Sequence, residues 1–115
     1  MRLPEEIPRK LRHAARVLPV LADGQGAWPR EQALQVIDSL ESTTVAISDV
    51  TPHRPLDGDW IPSSFSWSLH RKHHEADIDY ARRSRQEAAE FIQADTSPSG
   101  MVLFVLTFPM FKDAA

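Results

Sequence analysis

The chain has no cysteine. That excludes a disulfide scaffold, a thiolate metal site and a cysteine nucleophile together. Glycine is scarce, at four residues, and none of them opens a strand–loop–helix phosphate-binding pattern. There is no Gly-x-Ser-x-Gly elbow, so a hydrolase triad has no motif behind it. No apolar run is long. The longest is Met101 to Phe104 continuing to Leu106, far short of the roughly 20 residues a membrane helix needs. The first ten residues carry acids and two prolines where a signal peptide needs an apolar stretch. With no lipidation motif at either end, the expected location is the cytoplasm, away from membrane. Excess positive charge is lacking as well. The 13 basic and 16 acidic residues leave a net charge of -3, which argues against a nucleic-acid partner.

What is present fits an ordinary small domain. The 115 residues are 42% hydrophobic and 25% charged, usual values for a soluble globular chain. That length can bury one continuous core without staples. Residues 1–115 therefore read as a single domain, with 1–8 and 112–115 expected to be loose. Apolar spacing predicts a helix over 9–22 that kinks or ends near Leu18, because Pro19 removes a backbone donor. Asp23-Gly24-Gln25-Gly26 reads as a loop. A second helix is predicted over 29–41, with Pro29 at its start and Ala33, Val36, Ile37 and Leu40 as its stripe. Residues 44–50 alternate as a strand, and Pro52, Pro55 and Asp57-Gly58 mark a loop with a possible turn. Phe65, Trp67 and Leu69 alternate with serines, which predicts a strand with one apolar face. The longest helix is predicted over 75–93, and 101–108 reads as a strand buried on both faces. The order is α-α-β-β-α-β, an α+β fold with a small mixed sheet packed against helices. The helix between the last two strands predicts that those strands run the same way.

Three constellations bear on chemistry. His70, His74 and Asp77 would stack on one face if the long helix reached back to residue 70, beside His73 and Glu75, and two histidines with a carboxylate can bind zinc. The spacing matches no metalloenzyme motif, and Arg71 and Lys72 would repel a cation. No metal or other cofactor is expected there. Glu75, Asp77 and Asp79 also serve the helix dipole without any acid–base role. The basic run Arg82-Arg83-Ser84-Arg85 is balanced by nearby acids and reads as a solvated helix face. The third constellation is acidic. Residues 31–66 carry six acids and one base, with Asp49, Asp57 and Asp59 about one strand and its loop. Trp60 follows them. A loop tryptophan between acids reads equally as a protein-binding anchor or as a loop pin.

The order of segments resembles the immunity protein 40 family of bacterial polymorphic-toxin systems. The resemblance runs from about Trp28 to Phe91-Ile92. It rests on the helix containing residues 33–40, on Asp49-Val50 at a strand end, on a Trp-containing strand after a turn, and on Ser84, Ala88, Phe91 and Ile92 in the long helix. Where the family pattern has a Gly-Gly pair before Asp49-Val50, this chain carries Ile47-Ser48. The resemblance implies a non-enzymatic protein that binds and neutralises a cognate toxin. It carries over no catalytic residue. Asp49, Asp57, Asp59 and Trp60 are the expected partner-binding residues, suited to a basic toxin. The alternatives are a small metal-dependent or acid–base enzyme at His70–Asp77, or a regulatory domain that self-associates.

Overall fold

The computed structural model describes residues 2–109. In chain order the elements are α1 (Arg9–Ala14), β1 (Gln25–Trp28), α2 (Arg30–Ser39), β2 (Asp49–Leu56), β3 (Asp59–Pro62), β4 (Trp67–Ser68), α3 (Asp77–Ala94) and β5 (Leu103–Thr107). The α+β class stands. Both long helices lie where the spacing placed them, and β5 lies between β1 and β2 in the sheet. Its residues Leu103 to Leu106 are buried, as expected of a strand with no polar face.

The sheet itself differs from expectation. Every pairing is antiparallel, so it is not mixed. β4 and β5 do run the same way, because each is antiparallel to β2. β2 lies between them, so they never pair. β1, β3 and most of β2 fall in segments that the sequence pattern reads as loop. β1 is only four residues long and contains a glycine, too short to show a period. β2 starts at Asp49, later than predicted, and runs on through Pro52 and Pro55.

Both prolines sit where the ladder needs no donor. The Pro52 carbonyl accepts from the Ser63 N–H at 2.8 Å, so the Pro52 nitrogen faces the same outer edge, at a gap between β3 and β4. Pro55 faces the other way by alternation, beyond the point where β5 pairing ends at His53–Leu103. Asp57 and Gly58 then close a two-residue hairpin with φ of 53° and 85°. Such a turn needs positive φ at both positions, which Asp-Gly tolerates.

Period-2 alternation places the helix-facing layer on Trp28, Val50, Phe104 and Leu106. They pack with Val36 and Ile37 of α2, with Leu40 just after it, and with Ala88 and Ile92 of α3. Leu103, Val105 and Ala27 face the other way, under Leu18, Leu21 and Trp60. The segment after α1 covers this second face. α1 stops at Ala14 because the Arg16 N–H leaves the helix to bond the Ala27 carbonyl at 2.8 Å. Residues 3 and 7 contribute to the core. Ile7 is fully buried in the main core, and Leu3 packs against it. Burial of one such isoleucine contributes roughly 1.5–3 kcal/mol. The expectation for 112–115 falls outside the described residues. Residues 64–69 yield only the two-residue β4, and Phe65 stands exposed rather than on an apolar core face.

Gly26 has a steric role. A Cβ there would come within 2.5 Å of the Trp28 ring. The fully buried indole lies back over its own strand, donates from Nε1 to the Leu11 carbonyl at 2.9 Å and meets Phe108 edge-on.

Candidate functional site

The His70–Asp77 segment is not on one helix face. α3 begins at Asp77, and His74 has a φ of 67°, which breaks any helix running back to His70. The charged groups there tie the junction to itself. Arg71 bonds Asp77 at 2.6 Å, and its guanidinium lies 5.0 Å over the Tyr80 ring. Glu75 accepts from Arg83 through both carboxylate oxygens, at 2.7 and 2.9 Å, and from the Lys72 N–H at 2.9 Å. These bonds, Arg83 first, hold the Glu75 carboxyl down at about 2, from an ordinary 4.5. A hydrogen-bonded carboxylate of this kind resists protonation, which is the opposite of a general acid near neutrality. Among the described residues no group of three or more His, Cys, Asp or Glu is placed to hold a metal ion.

The run Arg82–Arg85 is not a single solvated face either. Arg82 is exposed near Asp79, and Arg83 turns to Glu75. Arg85 is buried and donates to the carbonyls of Glu41, Thr43 and Val45 at 3.1, 3.1 and 2.8 Å. The guanidinium fork thus closes the chain that follows α2. Beside it, Ser84 Oγ accepts from the Ile47 N–H at 3.0 Å. α3 therefore sets where the approach to β2 lies. Arg85 looked like one more surface charge because helical spacing does not reveal which loop packs over a helix.

The acidic residues separate into two places. Asp49 lies at the start of β2, where Ser48 Oγ donates to it at 2.8 Å. Asp57 and Asp59 lie at the hairpin end, both exposed. Eight strand residues span about 26 Å, several Debye lengths at physiological salt. Asp49 is therefore not brought together with the other two. Neither Asp57 nor Asp59 forms an ion pair among the described residues. Trp60 pairs with Pro55 and turns to the second face, half-buried against the Leu18, Ala27, Leu103 and Val105 cluster. It holds the turn end of the hairpin against this cluster. Beside it His53 is buried. Burial lowers its pKa from the usual 6.5, partly opposed by a hydrogen bond to the Trp60 backbone.

Exposed apolar residues lie on the hairpin and just after it. Leu56 and Ile61 are 59% and 42% exposed, and Phe65 is 76% exposed. The signal was there: Leu56 and Ile61 flank the Asp-Gly turn, one on each strand.

The family model described as Immunity protein 40 matches residues 20–108. The chain belongs to the immunity protein 40 family. The match begins just before β1 and ends just past β5, so it contains the whole sheet, α2 and α3. Within this immunity protein 40 chain, the long-helix pattern has a structural meaning. Ser84, Ala88 and Ile92 are fully buried on the face of α3 that meets the core. Ile47 is fully buried and held by Ser84. Neither the curated proteins nor the solved structures gave a match. Among the described residues no helix is long and apolar enough to cross a membrane.

Proposed function

We propose that the chain neutralises a cognate bacterial toxin in the cytoplasm by binding it, without chemistry of its own. The contact includes the hairpin residues Asp57, Asp59 and Trp60. Asp49, at the other end of β2, is left out of the contact set. One observation carries the reading beyond family membership: two aspartates stand at the tip of a hairpin with no ion-pair partner among the described residues. The turn itself needs positive φ at Asp57 and Gly58. It does not need a second acid at position 59. Unpaired charge at an exposed tip raises the encounter rate with a partner of opposite sign, which favours a basic toxin. The test is growth of cells expressing the toxin encoded beside this chain's gene. The unaltered chain should restore growth. Asp57→Asn with Asp59→Asn should restore it less well at equal protein level. Failure of the unaltered chain to protect would refute the proposal.

A further inference from the structure

The outer edge of the sheet consists of β3 and β4 laid end to end along β2. Residues 63–66 leave the ladder between them. The break is bounded by the Ser63 N–H on the Pro52 carbonyl at 2.8 Å on one side and by the Trp67–Val50 pairing of β4 on the other. Within it the Phe65 N–H donates to Ser63 Oγ at 3.0 Å. The result holds Phe65 outward, its ring 6.0 Å from that of Phe91 on α3.

Register fixes the side on which the neighbours lie. Val50 and Trp67 are partners, as are Arg54 and Ile61. Val50, Arg54 and Leu56 share the helix-side face of β2 by period-2 alternation. Trp67, Ile61 and Leu56 therefore lie on that face, and Phe65 leans onto it through Phe91. Trp60 is on the opposite face. Single exposed apolar residues are normal, but an aligned stripe of them marks a contact surface.

Charge and edge geometry say what would cover the stripe. A shallow cleft of about 490 Å³ lies between Trp67 and Phe91, and Glu87 and Glu90 line it. Its one cation, Arg83, is engaged by Glu75, and Arg54 along the edge is engaged by Asp95 at 2.8 Å. Neither Glu87 nor Glu90 forms an ion pair among the described residues. Acids thus flank the stripe at both ends, Asp57 and Asp59 at the turn and Glu87 and Glu90 on α3. Among the described residues no strand lies beside the outward backbone of β3, and such an edge accepts an extended segment.

We propose that this edge is a protein-docking surface with Phe65 as its anchor, and that it receives an extended segment of the toxin carrying both apolar and basic side chains. The proposal rests on the reading of the chain as a toxin-binding protein, and it adds the edge along which the toxin docks. An added strand has side chains on both faces of the sheet, so Trp60 at the turn end of β3 stays in the contact.

The probe is the purified toxin encoded beside this chain's gene, its affinity measured for the full chain and for Phe65→Ser. Phe65 is exposed and lies outside the regular ladder, so the variant should keep its melting temperature. Affinity should fall by about 30-fold or more, the scale of an interface anchor. Val17→Ser, at an 83% exposed site on the segment covering the second face, should bind unchanged. Amide exchange of residues 59–68 should slow when toxin is added, a readout that needs no variant. Equal affinity of Phe65→Ser and the full chain, or no protection of 59–68, would overturn the proposal while leaving the binding function intact. A homodimer that Phe65→Ser dissociates would also overturn it, since a second copy would then occupy the edge. No binding by the unaltered chain would refute the function itself, and the docking surface with it.

Discussion

Replacing Arg85 with methionine keeps most of the side-chain volume and removes the guanidinium. Three carbonyls then lose their donor: Glu41, Thr43 and Val45. Glu41 is exposed, and water can replace the arginine there. Thr43 and Val45 are half-buried. A shielded acceptor without a partner costs about 1–3 kcal/mol. Taking the lower half of that range for two carbonyls gives roughly 2–4 kcal/mol, reduced somewhat because the buried charge no longer has to be desolvated. A net loss near 2–3 kcal/mol is a large part of the 5–15 kcal/mol typical of a domain. For a chain of this length it corresponds to a fall in melting temperature of about 8–12 °C. Arg85→Lys should recover only part of it, because a point charge cannot reach three divergent carbonyls. Thermal unfolding followed by circular dichroism measures both variants. A methionine variant that melts within about 2 °C of the unaltered protein, under half a kcal/mol, would refute the claim that Arg85 holds the segment after α2.

Gly26→Ala drives a Cβ into the Trp28 indole and should cost about 1–3 kcal/mol, seen as an earlier denaturant midpoint together with a changed tryptophan emission. Acid should weaken the fold through three groups with depressed pKa values, His53, Glu75 and Asp95. Against the opposing effect of burial, hydrogen bonds from Ser97 and the Arg54 and Arg30 guanidiniums hold the last of them down. The His53 contribution is complete above the ordinary 6.5 and falls away below it, because burial disfavours the imidazolium. The Glu75–Arg83 contribution is complete above about 4.5 and is lost as the pH approaches 2. Denaturation at stepped pH should show both windows, and Glu75→Gln should shrink the lower one, leaving the part that belongs to Asp95.

The parts legible in the sequence are those where one side chain pattern dominates. α2 and α3 repeat apolar residues at helical spacing over several turns, and β5 has no polar face to conceal. The Asp57-Gly58 turn was visible because few residue pairs accept its backbone. β2 was hidden by Pro52 and Pro55, which signal a loop unless one knows that each nitrogen faces a gap in the ladder. Phe65 misled through its alternation with Trp67 and Leu69. Their spacing fits a core strand, but the chain leaves the ladder at 63–66 and the ring goes outward. Linear proximity misled at Asp49, which joins the acidic cluster only in the sequence. The buried role of Arg85 depends on which loop packs over α3, and no local pattern encodes that.

The central claim is neutralisation by binding, and a titration tests it most directly. The purified product of a neighbouring gene that proves toxic is held at a fixed concentration well above the dissociation constant, and its residual activity is followed as this protein is added. Binding predicts a linear loss of activity that ends at a fixed whole-number ratio of the two proteins and does not change with incubation time. Loss of activity that proceeds with time at substoichiometric amounts of this protein would mean that it acts catalytically on the toxin, and would contradict the account.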